Sequence, residues 1–242
     1  MKKTVLIIGH GSRESSALNE FKRMVRQYGR RRPKWRIAYA FLELAEPSIP
    51  QALGTLAAHS DEIHILPLFL FAAGHMKRDI PKILKEFKMS HPKVRVKLAK
   101  ELGPEPLMAE LLMKRVGLKK RTFSQNQILV VGRGARELSA QKDFRKIVGI
   151  LRKKGDFKKV QHCFFDVSRP SFEESLSTLA AQKPQKLLIA PYLLFKGSLV
   201  DRISKRTRLY SLQNPAIQVR LAPPLGIHPK LFQLMDQRLR EL

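Results

Sequence analysis

Cysteine is almost absent from this chain. Cys163 is the only one in 242 residues, so no internal disulfide can form and no cysteine cluster can hold a metal or an iron–sulfur centre. Long apolar runs are missing too, and none approaches the roughly 20 residues needed to span a bilayer. Met1-Lys2-Lys3 followed by Thr4–Ile8 begins like a secretory leader, but Gly9-His10-Gly11-Ser12-Arg13 breaks the run after five residues. That is short of the roughly 7–15 residues of a signal core. A buried first strand and a cytoplasmic protein are therefore expected. Acidic side chains are scarce: 20 Asp and Glu stand against 47 Lys and Arg, a formal net charge of +27.

Such a basic excess ordinarily points to a polyanionic partner. The basic clusters Lys22-Arg23, Arg30-Arg31-Arg32, Lys119-Lys120-Arg121, Lys153-Lys154 and Lys158-Lys159 are spread along the chain and are not interleaved with aromatics. No zinc-finger or helix-turn-helix pattern occurs. No nucleic-acid partner and no membrane are expected, and nucleic-acid binding on an inactive scaffold is kept as a distant alternative. A small polycarboxylate would be steered by the same field.

What the chain does have is a repeat. Shifted by 123 positions, Leu6–Glu14 falls on Leu129–Glu137, Phe21 on Phe144, Pro47-Ser48 on Pro170-Ser171, and Val96–Ala99 on Val219–Ala222. This predicts a duplicated domain, with copies at 1–118 and 127–242 and a polar, basic linker at 119–126. Each copy reads as four strand–helix units. Strands are expected at Thr4–Gly9, Trp35–Leu42, Ile63–Phe71 and Val94–Ala99, and again near Gln127–Gly132, Val160–Val167, Lys186–Leu194 and Ile217–Ala222. Strict alternation of strand and helix predicts an α/β fold: two tandem flavodoxin-like domains, each a parallel sheet flanked by helices.

The two copies differ where chemistry could occur. His10 becomes Arg133 and His75 becomes Ser198, while Glu43 becomes Asp166 and stays acidic. His10, Glu43 and His75 each follow a predicted strand, at the carboxyl edge where open parallel sheets bind ligands. Two imidazoles and a carboxylate suit a first-row divalent ion, Fe²⁺ or Co²⁺. Gly9-His10-Gly11-Ser12 lacks both the P-loop lysine and Gly-x-Gly-x-x-Gly, and Ser12 lacks a nucleophile elbow, so phosphate-binding and hydrolase readings rank lower. His59, His64, His91, His162 and His228 have no matching partners and are expected to be structural or on the surface. Phe69 and Phe71 are expected in the core, with Phe71 near enough to the loop to touch a macrocycle.

Ile7-Ile8-Gly9-His10-Gly11-Ser12-Arg13, Phe41-Leu42-Glu43 and the segment from Leu66 through Gly74-His75-Met76-Lys77 to Pro81 together resemble the sirohydrochlorin chelatase family, of the class II chelatase type. The resemblance covers essentially the whole chain, since long members are also fused pairs. It implies a lyase that inserts Fe²⁺ into sirohydrochlorin to give siroheme, or alternatively Co²⁺ on the route to cobalamin. It also implies His10 and His75 as the catalytic pair, Glu43 as the acidic residue, and all three as metal ligands. Ser12, Arg13 and Lys77 from the first copy, and Arg133 and Arg136 from the second, become candidate contacts to the substrate carboxylates. The divalent metal is a substrate, and neither an organic cofactor nor an iron–sulfur cluster is expected. No histidine follows His228 and Cys163 stands alone, which tilts the expectation toward iron. A monomer is expected.

Overall fold

The apolar runs become two four-stranded parallel sheets in the computed structural model, which describes residues 2–71, 74–117 and 126–242, the side chains of His75 and Met76 excepted. The first copy runs β1 (Thr4–Gly9), α1 (Ser15–Arg30), β2 (Arg36–Phe41), α2 (Ile49–Ala57), β3 (Glu62–Pro67), α3 (Gly74–Ser90), β4 (Arg95–Leu98) and α4 (Pro106–Val116). The second runs β5 (Gln127–Gly132), α5 (Leu138–Lys154), β6 (Lys159–Phe164), α6 (Phe172–Gln182), β7 (Lys186–Pro191), α7 (Ser198–Gln213), β8 (Gln218–Leu221) and α8 (Pro229–Arg240). Strand orders are β2-β1-β3-β4 and β6-β5-β7-β8, the expected α/β architecture. In each sheet the winding direction reverses beside the first strand, which opens a crevice at its carboxyl end.

Burial explains the strands. Every residue of β1 is buried, as a central parallel strand covered on both faces requires. Several strands end earlier than their apolar runs. Past Pro67 the chain stays among its neighbours as a bonded loop: Leu68 N donates to the Ile8 carbonyl (2.8 Å), while the carbonyls of Phe69 and Leu70 accept from Leu102 N (2.9 Å) and Gly103 N (3.0 Å). An apolar run therefore marks what is buried, not where strand pairing stops. α2 and α6 begin alike, with reciprocal capping boxes of Ser48 with Gln51 and of Ser171 with Glu174, satisfying end amides that the helices cannot.

Packing draws different boundaries from the repeat. One compact unit comprises residues 1–103 with 231–242, and the other comprises 104–230. α4 packs on α5 and β7, and its Arg115 donates to the carbonyls of Leu225 (2.6 Å) and Ile227 (2.9 Å). In the first unit α8 takes the corresponding place. Its Arg238, the repeat partner of Arg115, donates to the carbonyls of Glu101 (2.7 Å) and Leu102 (2.8 Å). Its Asp236 accepts from Tyr28 Oη (2.7 Å) and Arg32 Nε (2.9 Å). Each copy's last helix thus belongs to the compact unit built on the other copy's sheet. The apolar stripe of a helix says that it is buried, not against which sheet, so copies 1–118 and 127–242 are units of sequence. Of the 119–126 linker only Asn126 is among the described residues.

Glu110 of α4 ties the second unit together, accepting from Lys154 Nζ (2.7 Å) and Lys230 Nζ (2.6 Å). Those two bonds, Lys154's first, hold its carboxyl down at about 2. A carboxylate depressed in the folded state contributes stability above its unfolded value, and that stability is lost as pH falls toward the folded one. The Tm of Glu110→Gln should therefore lie below that of the parent protein at pH 6, with the gap closing between about pH 4.5 and about pH 2. Calorimetry across that range checks it; a constant gap contradicts it.

Candidate active site

The site is built on the loop after β1, which the loop after β2 grips through the backbone. The carbonyls of Gly9 and His10 accept from Leu42 N (2.9 Å) and Glu43 N (3.0 Å). Gly11 has φ +96°, and a Cβ there would fall 1.7 Å from the Glu43 carbonyl oxygen. Only glycine allows that approach. Leu44, just past the carboxylate, is also left-handed, at φ +61°.

This scaffold brings His10 Nδ1 within 3.2 Å of Glu43 Oε1, with the two side chains 42% and 47% exposed. Sequence-separated residues are thus joined as expected, and both are reachable from solvent. Phe69 stands beside them, its ring centroid 6.1 Å from that of His10 with the planes tilted 50°. As its apolar run predicts, Phe69 packs against the core of the first sheet, and its half-buried ring also flanks the histidine. Ser12 Oγ accepts from Glu14 N (3.0 Å) and shapes its own loop. Arg13 and Lys77 are exposed, and among the described residues no ion pair engages either.

His75 is the second residue of α3, and its side chain lies outside the described residues. Because β3 ends at Pro67, His75 starts a helix eight residues farther on, where a position four residues past the strand is expected from sequence. Among the described residues no group of three His, Cys, Asp or Glu side chains is arranged to hold a metal ion. The described part of the site is the His10–Glu43 pair.

The second copy repeats the backbone hydrogen bonds between the two loops and changes the side chains. Phe165 N and Asp166 N donate to the carbonyls of Gly132 (2.9 Å) and Arg133 (2.8 Å), and Gly134 has φ +98°. Asp166 faces Arg202 Nη1 at 3.7 Å, and that guanidinium lies over the Phe165 ring, 4.8 Å from its centroid. Ser168 Oγ joins the two loops, accepting from Ala135 N (3.1 Å) and donating to the Ala135 carbonyl (2.9 Å). The acid persists here opposite a cation instead of an imidazole. Arg202 stands at the repeat position of Asp79, so that exchange was visible in the sequence though its role was not. Arg133 and Arg136 are exposed.

Four other histidines serve the scaffold, and His59 is exposed. His64 Nε2 sits 3.1 Å from Glu62 Oε1, and burial pushes its pKa down. His91 stacks on Phe87 at 4.4 Å, and His162 packs against Phe144 and Phe164. His228 Nδ1 accepts from Lys230 N (3.1 Å). Cys163 is buried, and burial pushes its thiol up, away from reactivity. No helix among the described residues is long and apolar enough to cross a membrane.

Known proteins share this architecture. The chain is 29% identical to the sirohydrochlorin cobaltochelatase of Priestia megaterium, covering 99% of this chain and 79% of that one. It is 28% identical to the sirohydrochlorin ferrochelatase of the same organism, covering 98% and 90%. Its fold matches SirB from Bacillus subtilis with Fe³⁺ at a TM-score of 0.89 and 27% identity, covering 100% of this chain and 95% of that one. The CbiX family model matches twice, at residues 4–118 and 127–242. Matched along both copies, the chain belongs to the CbiX family.

Proposed function

We propose that this protein is a lyase that inserts a divalent metal ion into sirohydrochlorin, Fe²⁺ to give siroheme or alternatively Co²⁺. The observation that carries this reading is the exposed His10–Glu43 pair at the carboxyl edge of the first sheet. At metal–ligand distances of about 2.1 Å, two donors on adjacent corners of a six-coordinate ion stand about 3.0 Å apart. The 3.2 Å between Nδ1 and Oε1 fits that span with little rearrangement. His75, at the start of α3, is proposed as the third donor, and the open corners keep the ion exchangeable.

Insertion replaces two pyrrole N–H protons by one M²⁺. As the ion passes to the ring, Nδ1 of His10 and Oε1 of Glu43 are vacated, giving two bases for two displaced protons. An imidazole nitrogen carries a lone pair that suits both ligation and proton uptake. Both groups face solvent, so the protons can leave to water. Ser12, Arg13 and Lys77 are proposed to hold substrate carboxylates, for which guanidinium is a matched donor; Arg133 and Arg136 offer the same chemistry on the second copy. The second copy, without the histidines, is proposed to hold no metal.

Relatives of nearly equal similarity bear the names of cobalt and iron enzymes, so both metals belong in the test. Purified protein is incubated anaerobically with sirohydrochlorin and Fe²⁺ or Co²⁺ while the absorbance is followed. Conversion faster than the protein-free reaction with either ion is expected; conversion no faster with both would refute the reading.

A further inference from the structure

We infer that Leu44 is a specificity-determining residue, an apolar contact for the flat face of the macrocycle that seats the ring over His10 and Glu43. The inference rests on the metal-insertion reading above and extends it to a residue with no metal or acid–base chemistry of its own. A single exposed leucine needs no explanation. Leu44 differs in two respects: it is 51% exposed, and its φ is +61°, a region that side chains other than Asn and Gly rarely adopt. A strained, solvent-facing leucine directly after the site carboxylate contributes little to the core and costs conformational energy. Strain of that kind concentrates where function constrains the chain.

The repeat supplies a second observation. Val167, the repeat partner of Leu44, follows Asp166 as Leu44 follows Glu43, and it is 68% exposed. The second copy has given up both histidines yet keeps a large apolar side chain in water at the same edge of its own sheet. Its φ is not positive, so what the two positions share is exposed apolar surface and not backbone shape. That surface is therefore tied to something other than metal chemistry. A tetrapyrrole polycarboxylate has charged groups on its rim and apolar faces. Basic residues suit the rim, whereas a face needs aliphatic or aromatic carbon. Leu44 and the half-buried Phe69 beside His10 supply it at the first edge.

The test separates ring contact from metal binding and from folding. Leu44→Asn keeps a residue that tolerates the left-handed region and removes the apolar surface; Leu44→Met keeps that surface. Metal-free sirohydrochlorin is titrated anaerobically into each protein, with Co²⁺ titrated separately in the absence of ring. Leu44→Asn is expected to raise the Kd for sirohydrochlorin about tenfold, within the reach of one buried aliphatic side chain. Its Co²⁺ affinity should stay within about twofold of the parent, and its Tm should be equal or up to about 2–4 °C higher. Leu44→Met should restore the ring affinity to within about twofold. An unchanged Kd in Leu44→Asn overturns the inference and leaves the metal-insertion reading standing. A raised Kd with a lowered Tm also overturns it, by making Leu44 structural. Failure of the parent protein to bind sirohydrochlorin overturns both.

Discussion

Replacing His10 with alanine should lower the rate of metal insertion at saturating sirohydrochlorin by about a thousandfold, the scale on which positioned proton acceptors act. In the proposed reading the substitution removes one donor to the ion and one base for the departing protons at once. Among the described residues no other imidazole stands beside Glu43. The loss should fall on kcat, because in that reading His10 acts on the reacting atoms while other residues hold the substrate carboxylates. His10 is 42% exposed, so its truncation opens no core cavity, and the Tm should stay within about 2–4 °C of the parent. Steady-state insertion assays beside thermal melts check both halves. A variant that retains a tenth or more of the rate would place the chemistry elsewhere.

Gly11→Ala carries the second large effect, and it should be felt in folding as well as catalysis. A Cβ at Gly11 would sit 1.7 Å from the Glu43 carbonyl oxygen, on backbone at φ +96°. Neither the clash nor the torsion can be relieved by turning a side chain. By contrast, a Cβ at Gly9 would meet the edge of the Phe21 ring at 2.8 Å, which a ring can partly yield. Relief at Gly11 requires the two loops to part, and that carries Glu43 away from His10. A loss of about 3 kcal/mol of stability, or roughly 6–12 °C in Tm, is expected. At temperatures where the variant is still folded, the insertion rate should fall by about a hundredfold, as for displaced catalytic groups. Gly134 is the internal control. It has φ +98°, with the Asp166 carbonyl 2.9 Å from its would-be Cβ. Gly134→Ala should therefore lose stability while keeping the insertion rate of the folded fraction. Equal activity losses at the two glycines would contradict the division of labour between the copies.

Much of this was legible in the amino-acid order, for identifiable reasons. β1 and β5 are apolar runs bounded by polar and glycine residues, so both were readable to the residue. The shift of 123 positions paired His10 with Arg133 and so pointed to the first copy. Strand ends after β3, β6 and β7 were not readable, because Phe69, Phe165 and Leu193 continue the apolar run as bonded loops. The destination of the final helices was not readable either. Arg115 and Arg238 look like ordinary basic residues near helix ends, and only their carbonyl partners disclose which sheet each helix serves. The left-handed Leu44 leaves no trace in composition or spacing. That Asp166 stays acidic is plain from the repeat, but the Arg202 guanidinium opposite it is seen only in the fold.

Cobalt binding without macrocycle tests most directly whether the metal chemistry resides in one copy. Glu43 and Asp166 occupy repeat positions whose amides make the same loop hydrogen bonds, so Glu43→Gln and Asp166→Asn remove the same kind of charge at matched places. Followed through the d–d absorption of Co²⁺, the parent should take up one ion per chain. Asp166→Asn should do the same, and Glu43→Gln should bind at least about tenfold more weakly. Undiminished binding in Glu43→Gln, or loss of the ion in Asp166→Asn instead, would contradict the account.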